Sequence, residues 1–514
     1  MIRTLFPATL LFATTLVHAK DFTVTILHNN DVHARIEPVL VKGEPFGGYA
    51  RTATIVQETR KKEKNVLFLS AGDVFQGTLY FTQYSGLADG ALMNYMQYDA
   101  MALGNHEFDL GPAPLARFVN NVQFPVLAAN LSLEQEPSLQ KTVKPYVILE
   151  RERTKIGVVG LITPDTPNIS GPGPTVKFLD PVASTMKAVG ELEAAGVKII
   201  IVLSHLGYQE DLALAKKVKG VDVILGGHSH TLLGSAEMPP FGKPLGPYPT
   251  SVTDSANKEV LVAQAYEWGK VLGHMKLTFD SNGYVKKLVK GESILVDKTI
   301  KEDPIIKAMV DAFAQPILTL RKTSVGETSM DLGRSASAEQ PESLMGNVIA
   351  DSMLEATRKA GAQLALMNQG GIRASMEKGN VTFENAINVQ PFGNTLVLLE
   401  LTGAELKQSI ESMLEHGSFH QVSAGFSYTY KDSAPVGQKV VKMVFGGREV
   451  APTDTIRIVT NNFMAKGGDF QEVLKNAKGY RLDTGLLDVD ALIEYFKLYS
   501  PIQAKVEGRV VRIP

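Results

Sequence analysis

Short apolar runs alternate with longer amphipathic segments through the first half of the chain. The runs are FTVTIL at 22–27, NVLFLS at 65–70, DAMAL at 99–103, VKIIIVLS at 197–204 and VDVIL at 221–225. Their length and apolar content predict buried strands. The segments between several of them, such as residues 50–64 and 185–195, have the apolar spacing of helices. This alternation of strand and helix predicts an α/β layout.

Polar residues follow each of these five runs directly. The segments are HNNDVHAR, AGDVFQGT, GNHEFD, HLG and GGHSH. In layered α/β sheets, ligands bind beyond the carboxyl ends of the strands. Segments spread from residue 28 to residue 230 are therefore predicted to converge on one site.

The pattern changes in the second half of the chain. Residues 238–249 are rich in Pro and Gly and predict a loop, and residues 271–285 predict a hairpin that turns on Ser281-Asn282-Gly283. A helical pattern at 298–320 precedes a new mixed α/β sequence, which has a helix at 343–360, a strand at 364–367 and loops that carry NQGGIR, QPFGN and TNNFMAKGGDF. We predict a signal peptide at 1–19, a first domain at 20–297, a linker helix at 298–323 and a second domain at 324–514.

Composition excludes some classes of protein. The 514 residues are 44% hydrophobic, enough for more than one core, and 52 basic residues balance 54 acidic ones without a long run of either sign, so a nucleic acid polymer is not an expected partner. The first nineteen residues carry one early Arg and an apolar stretch too short to span a bilayer, which predicts a cleaved secretory signal. No later stretch predicts a membrane span. We expect export to a bacterial periplasm or to the outside of the cell.

Residues of metal-ligand type are concentrated in the five polar segments. They are Asp31, His33, Asp73, Asn105, His205, His228 and His230, and five of the ten histidines in the chain lie directly after the predicted strands. A single Asp or His after a strand is more often a cap or turn residue, so the prediction rests on five such segments occurring together.

The chemistry of these donors indicates the kind of metal centre. The chain has no cysteine, which excludes disulfides and thiolate ligands. Nitrogen and oxygen donors suit Zn, Mn, Fe, Co or Ni, and two divalent ions that share a carboxylate account for seven ligands better than one ion does. Paired ions about 3.5 to 4 Å apart can clamp the attacking and leaving oxygens of a displacement at phosphorus. The residues therefore favour metal-assisted phosphoryl chemistry.

The motifs DVH, GDxxQGT, GNHEFD, SHLG and GGHSH resemble, in order and context, those of the calcineurin-like metallophosphoesterases. NQGGIR, QPFGN and FxxxGGD extend the resemblance to the secreted 5'-nucleotidase family, which includes the periplasmic UDP-sugar hydrolase, over nearly the whole chain after residue 19. The resemblance implies a four-layer α/β/β/α first domain and a smaller α/β substrate-binding domain.

The same resemblance implies how the ligands divide between the ions. Asp31, His33 and His230 would bind one ion. Asn105, His205 and His228 would bind the other, with Asp73 bridging the two. Some family members have Gln or Asn at the position of His230, so we expect the first ion to be held more strongly here.

The resemblance makes His106 the catalytic imidazole, with Asp109 hydrogen-bonded behind it. A carboxylate partner favours the imidazolium form, raises the pKa of the histidine and fixes the ring's orientation. Metal-activated water would attack phosphorus in line while His106 supports the leaving oxygen, without a covalent intermediate. Glu107 is interpreted as a supporting hydrogen-bond partner rather than a ligand. The remaining histidines that we interpret as structural are His28, His274, His416 and His420.

The second domain is predicted to read the nucleotide. In the resembled family the positions of Phe392 and Phe463 sandwich the nucleobase, although the residues alone explain Phe392 equally well as a core side chain beside a Pro-Gly turn. The predicted polar contacts are Asn394 to the base, Asp469 to the ribose, and Arg373, Asn368 and Arg35 to phosphate.

One position departs from the family pattern. The family usually has an Arg three residues before the Glu of its ESxLGN-like segment, whereas this chain has Glu339 there. Losing that cation should weaken recognition of a highly charged phosphate tail. Arg334 is the candidate to replace it.

The sequence therefore predicts an exported dimetal hydrolase that releases phosphate from nucleoside 5'-monophosphates, with UDP-sugars or other nucleotides as further candidate substrates. The nearest alternative is a 2',3'-cyclic-nucleotide 2'-phosphodiesterase with 3'-nucleotidase activity. An exported nucleotide-binding or adhesion protein without turnover is an alternative of another class, and the presence of both His106 and Asp109 counts against it. Two domains that share one site also suggest a hinge.

Overall fold

The structure is a computed structural model that describes residues 21–41, 43–334, 336 and 340–513, and only the backbone of residues 168 and 169. The predicted signal peptide at 1–19 and Glu339 lie outside the described residues, so both stay predictions. Within the described residues, no helix combines the length and apolar content needed to cross a membrane.

Two β-sheets form the centre of the first half. The seven-stranded sheet has the order Val285–Leu295, Val271–Phe279, Phe22–Asn29, Val66–Ser70, Ala100–Ala102, Val126–Leu127 and Val143–Lys144. The six-stranded sheet has the order Thr250–Thr253, Glu259–Gln264, Val223–Gly226, Ile199–His205, Thr154–Ile162 and Tyr146–Arg151. All five predicted strands are confirmed, three of them in the first sheet and two in the second.

The two sheets pack face to face through apolar side chains. Ile26 and Leu69 of one sheet share a core with Val158 and Ile201 of the other. The sheets approach so closely that a Cβ added at Gly160 would lie 2.4 Å from the backbone of Leu127. Helices cover both outer faces, since apolar side chains of the flanking helices join each core. The predicted four-layer α/β/β/α arrangement is confirmed.

The helices of the first half are Tyr49–Lys62, Leu79–Tyr84, Leu87–Met96, Pro112–Asn121, Pro137–Gln140, Thr166–Ile169, Pro181–Ala194 and Tyr208–Lys217, with a short 3-10 helix at His106–Phe108. Two small strand pairs join Val39–Val41 to Glu44–Phe46 and Leu131–Ser132 to Lys177–Phe178. The predicted hairpin is confirmed, and the carboxylate of Asp280 stabilises its turn by accepting from the backbone N–H of Asn282 and Tyr284.

The helix Pro304–Leu320 leads from the first half to the second. It begins later than the apolar pattern predicts because Asp303 is its N-cap, and the Asp303 carboxylate accepts from the backbone N–H of Ile305 and Ile306. Most of the helix packs on the first half, where Tyr84 donates to the carbonyl of Phe313. The exact domain limits stay a prediction.

The second half is built around a five-stranded sheet with apolar clusters on both faces. Its order is His420–Val422, Leu364–Asn368, Thr455–Asn461, Thr395–Thr402 and Arg481–Leu487. A four-stranded sheet has the order Arg448–Glu449, Val440–Phe445, Phe426–Lys431 and Val510–Ile513, and Ser324–Thr328 pairs with Gly379–Thr382. The helices are Leu344–Thr357, Phe383–Val389, Gly403–Glu415, Asn462–Ala465, Glu472–Asn476 and Asp488–Tyr499, with 3-10 turns at Arg358–Ala360, Gln369–Gly371 and Gly468–Phe470.

Candidate active site

The polar segments after the five predicted strands meet at one place. Donor atoms of Asp31, His33 and His230 lie within 4.8 Å of one another, and so do those of Asp73, His205 and His228. These side chains come from both sheets, so the convergence expected at the carboxyl ends of the strands is present. The assignment of each residue to an ion stays a prediction.

Asp73 lies between the two groups. Its Oδ2 is 3.0 Å from His205 Nε2 and 3.8 Å from His33 Nε2. Asp31 Oδ1 lies 3.3 Å from His230 Nε2. A carboxylate in this position suits the predicted bridge between two ions.

Backbone carbonyls orient two of the imidazoles. The Nδ1 of His33 lies 3.0 Å from the carbonyl oxygen of Phe75, and the Nδ1 of His205 lies 2.7 Å from that of Ala71. An Nδ1–H donated to a carbonyl leaves Nε2 as the atom that can bind a metal. Asn105 is buried, and neither its Oδ1 nor its Nδ2 finds a hydrogen-bond partner among the described residues. A buried amide without a partner is unusual and fits a ligand.

The backbone is strained at the same residues. Positive φ angles, between 49° and 72°, occur at Asp31, His33, Asp73, His228 and His230. A residue other than glycine in the left-handed region costs on the order of 1 to 3 kcal/mol and persists where the surroundings enforce it. Five such residues in one pocket indicate a site maintained for function rather than for stability.

The pocket's electrostatics also favour bound cations. Burial alone would raise the pKa of Asp73, but His205 and His106 hold it well below its usual range. Burial would lower the pKa of His205, and Asp73 and Asp31 reverse this and raise it to about 9. The buried carboxylates thus require positive charge nearby, and divalent ions with oxygen and nitrogen preferences would supply it. The residues therefore fit two divalent ions.

His106 and Asp109 form the predicted pair. His106 Nδ1 is 2.6 Å from Asp109 Oδ2, and Ser170 Oγ donates to Asp109 Oδ1 at 2.7 Å. Burial would lower the pKa of His106, but Asp109 and then Asp73 outweigh it and raise the pKa to about 10. The Asp109 carboxylate therefore favours the imidazolium form of His106 beside the candidate metal pocket.

Glu107 supports the site through the backbone. Its Oε1 accepts from the backbone N–H of Val74 and Phe75, and its Oε2 accepts from Asp73 and Gly104. These four hydrogen bonds join the loop that carries Asp73 to the loop that leads into Asn105. The interpretation of Glu107 as a supporting carboxylate agrees with this geometry.

Residues of the second half reach this pocket. A Cβ added at Gly485 would lie 2.1 Å from His106 Nε2, so the Gly485 backbone covers the ring's free nitrogen. Asp483 Oδ2 lies 3.9 Å from His230 Nδ1. A cavity of about 760 Å³ beside His228 is lined from both halves, by Asp165 and Tyr208 on one side and Tyr480 among others on the other.

The predicted nucleotide-reading residues fall into small groups. Asn368 Nδ2 donates to Asp469 Oδ2 at 2.7 Å. The Arg373 guanidinium lies 5.6 Å from the centre of the Phe392 ring. The ring of Phe463 lies against the backbone of Gly468, where an added Cβ would be 2.5 Å away. The Gly-Gly sequence thus permits a close approach that a larger residue would prevent.

Two of the residues predicted to contact the substrate, Asn394 and Arg35, already contact other residues of the protein. Asn394 Nδ2 donates to Asp488 Oδ2 at 3.4 Å, so its amide already has a partner. Arg35 packs its guanidinium 4.1 Å from the centre of the Trp268 ring and donates to the carbonyl of Gly393. Arg35 therefore links the first half to the QPFGN loop of the second.

Arg334 lies beside the loop that carries Arg373. Its Nη1 donates to the carbonyls of Ile372 and Arg373, at 3.0 and 2.9 Å. The side chain of Gln369 in turn donates to the carbonyl of Arg334. Arg334 thus packs against the backbone of the segment that carries Arg373.

The sequence motifs did not identify three residues that border the site. Ser170 and Gly485 contact Asp109 and His106 from distant parts of the chain, and no motif or spacing indicates either contact. Glu267 is buried beside His230, 37 positions after it in the chain. The sequence signal for Glu267 is that an acidic residue stands among apolar and aromatic residues next to Trp268.

Comparison with known proteins agrees with this geometry. Residues 24–232 match the family model for calcineurin-like phosphoesterases, and residues 324–476 match that for the 5'-nucleotidase C-terminal domain. The chain is 36% identical over 534 residues to a 5'-nucleotidase of Diplobatis ommata, covering 98% of this chain and 92% of that protein.

Two solved structures are similar over almost the whole chain. The 5'-nucleotidase precursor from Thermus thermophilus is 47% identical, with a TM-score of 0.63 and coverage of 96% of this chain and 99% of that one. The Haemophilus influenzae NAD nucleotidase is 27% identical, with a TM-score of 0.81 and the same coverage. This chain is a metal-dependent phosphoric ester hydrolase that belongs to the 5'-nucleotidase family of calcineurin-like phosphoesterases.

Proposed function

We propose that this protein is an exported hydrolase that releases phosphate from nucleoside 5'-monophosphates. The observation that carries the proposal is the position of Asp73 between two groups of ligand-type residues, next to the His106–Asp109 pair. That arrangement presents a cation pocket and a proton donor to one phosphoryl group. Export rests on the signal sequence predicted at residues 1–19.

The metal ligands would be the seven residues predicted from the sequence, with Asp73 shared. When bound, two divalent ions would neutralise charge on the phosphoryl oxygens and activate water. The protein's own groups then act on the leaving oxygen, as His106 in its imidazolium form donates to the ester oxygen while the bond to phosphorus breaks. Asp109 stabilises the imidazolium, and Ser170 fixes the carboxylate of Asp109 through a hydrogen bond.

The second half supplies the nucleoside-binding surface in this proposal. The Phe392 and Phe463 rings are 51% and 47% exposed, which is unusual for large aromatic residues and does not suit the alternative of a core side chain. Stacking of a base on such rings contributes about 1 to 3 kcal/mol per base. Asp469 and Asn368 lie together for the ribose and phosphate ends of the substrate.

Two guanidinium groups would bind the phosphate tail. Arg373 and Arg334 lie in one loop region, joined by the hydrogen bonds from Arg334 to the carbonyls of residues 372 and 373. Both residues are exposed, although each already donates from Nη1 to backbone carbonyls, so a ligand would meet the remaining N–H groups of each guanidinium. Arg334 would thereby replace the cation that the family usually carries at position 339.

The proposed reaction requires the two halves to move apart. In this structure the backbone of Gly485 occupies the space next to His106 Nε2 that a substrate oxygen must enter. The Thermus thermophilus protein is more similar to this chain in sequence than the Haemophilus influenzae protein is, but its structure has the lower TM-score. This difference supports the idea that the two halves can take different relative positions. A hinge near the helix Pro304–Leu320 would uncover His106 as the halves open, and it would let them close on the substrate in another orientation that brings the nucleoside-binding surface to the metal pocket.

The substrate class can be tested with a panel of phosphate esters. Purified protein with added Mn²⁺ or Zn²⁺ should release phosphate from AMP faster than from 3'-AMP or 2',3'-cyclic AMP, because the proposed base and ribose contacts present the 5' end to the metals. The measurement is phosphate release over time, with and without a chelator, and UDP-glucose is included to test cleavage of nucleotide sugars. Faster release from the cyclic or 3' substrates would support the alternative enzyme, and no metal-stimulated release would support a binding protein.

The role of Asp109 can be separated from metal binding. Asp109→Asn should lower turnover of AMP by about 10²-fold, because a neutral partner no longer favours the imidazolium form of His106. Metal content, measured by mass spectrometry of the purified protein, should stay at the wild-type value. Asp21→Asn removes an exposed carboxylate that pairs with Lys286 at the end of the first strand opposite the site, and it is the matched control. A parallel loss of metal and activity in Asp109→Asn would contradict the assigned role.

The hinge can be tested by joining the two halves. The protein has no cysteine, so Asp165→Cys together with Tyr480→Cys places two unique thiols on opposite sides of the cavity between the halves. Closing them with a cleavable bismaleimide should remove most turnover, and cleaving the linker should restore it. Each single variant, treated in the same way, is the control. Full turnover in the linked protein would contradict the need for movement.

A further inference from the structure

Glu267 is a buried carboxylate beside the candidate metal site that no motif identifies. Its Oε2 lies 2.9 Å from His230 Nδ1, and both side chains are 3% exposed. On the other side of the ring, His230 Nε2 lies 3.3 Å from Asp31 Oδ1 and 3.3 Å from His33 Nε2. One nitrogen of the His230 imidazole therefore lies within ion-pair distance of Glu267, and the other faces the first group of ligand-type residues.

A buried lysine holds Glu267 in place. Lys270 Nζ donates to Glu267 Oε1 at 2.7 Å, and the Lys270 side chain is only 4% exposed. The same ammonium group lies 4.5 Å from the centre of the Tyr266 ring and 4.3 Å from that of Trp268. Cation–π contacts of this kind compensate part of the cost of burying the ammonium group.

The backbone fixes this segment to the metal-site loop. Trp268 donates its backbone N–H to the carbonyl of Asp31 at 2.7 Å, and both Tyr266 and Trp268 have positive φ angles near 60°. Strained backbone at non-glycine residues and a buried ion pair both cost free energy. Their occurrence together next to His230 is explained if the segment exists to place the Glu267 carboxylate.

We propose that Glu267 is a positioning residue for the first metal ion, an inference that rests on the proposed function. By pairing with the Nδ1 edge of His230, Glu267 keeps the Nε2 edge directed at Asp31 and His33 and makes the imidazole a better donor. Outer carboxylates of this kind typically change metal affinity by about 10- to 100-fold. The second group, Asp73, His205 and His228, has no such contact with Glu267 among the described residues.

The second half touches the same pair. Lys466 Nζ lies 3.7 Å from Glu267 Oε2, and Asp483 Oδ2 lies 3.9 Å from His230 Nδ1. The first ion's predicted ligands, Asp31, His33 and His230, are thus surrounded by charged side chains from both halves. The contact of Glu267 with His230 is the shortest of these. It would persist when the halves separate, because both residues belong to the first half.

The test is a metal titration of the full chain. Metal-free wild-type protein and Glu267→Gln are titrated with Mn²⁺ by calorimetry, and the free ion is followed by electron paramagnetic resonance. Glu267→Gln should bind one ion about 10- to 100-fold more weakly and the other within about twofold of wild type. Retained binding of that other ion shows that the variant is folded. If Glu267→Gln binds each of the two ions as tightly as the wild type does, the inference is overturned.

A matched control and a second variant sharpen the result. Glu292→Gln removes a carboxylate that lies 3.1 Å from His274, a histidine outside the metal pocket, and should leave both affinities unchanged. His230→Asn keeps an oxygen donor but removes the imidazole. If Glu267 acts through His230, adding Glu267→Gln to His230→Asn should weaken the first ion no further, whereas additive losses would contradict the mechanism.

These outcomes also separate the inference from the proposed function. A wild-type protein that binds two ions and hydrolyses AMP, together with an unaffected Glu267→Gln, would remove only the role of Glu267. A wild-type protein that binds no Mn²⁺ and releases no phosphate would remove the proposed function and the inference with it.

Discussion

The buried carboxylate of Glu107 joins the loops on which the rest of the site depends. It accepts four backbone N–H groups, from Asp73, Val74, Phe75 and Gly104. The first three belong to the loop after one strand of the seven-stranded sheet, and Gly104 follows the next strand. A single side chain thereby sets the distance between the carboxylate of Asp73 and the amide and imidazole that follow Gly104. Burial and the neighbouring Asp73 raise the pKa of Glu107 to about 7, and these backbone N–H groups oppose that shift because they favour the carboxylate form.

The concentration of buried charge explains the arrangement around that centre. Asp31 and Asp73 are almost completely buried, and the histidines around them contact these carboxylates, one another and backbone carbonyls. Burying carboxylates is costly without a compensating cation, so the pocket is most stable when positive charge is bound. His106 lies at the edge of this pocket beside its own carboxylate, Asp109, and directly follows the candidate ligand Asn105 in the chain.

The sequence predicted those parts of the fold and of the site that follow from the repeated pattern of an apolar run and a polar segment after it. Apolar runs of strand length located all five site-bearing strands, and the polar residues after them located the convergence of His33, Asp73 and His205. The strand ends carry this signal because parallel strands in layered sheets present their carboxyl ends together. The start of the helix was predicted at residue 298, six residues too early, because the cap at Asp303 is defined by its hydrogen bonds to the backbone N–H of Ile305 and Ile306.

Contacts between distant segments could not be predicted in the same way. Ser170 donates to Asp109 across 61 positions of the chain, and Gly485 meets His106 from the other half. Neither contact leaves a spacing or periodicity in the sequence, because each depends on how complete elements pack. Glu267 could be predicted in part. An acidic residue between two aromatic residues is unusual in sequence, but its partner His230 is identified only by the three-dimensional structure.

The central claim is that two divalent ions share Asp73, and anomalous diffraction tests it most directly. Crystals of the full chain grown with Mn²⁺, measured on both sides of the manganese absorption edge, should show two anomalous peaks about 3.5 to 4 Å apart on either side of the Asp73 carboxylate. A single peak, or two peaks that do not both contact Asp73, would contradict the account.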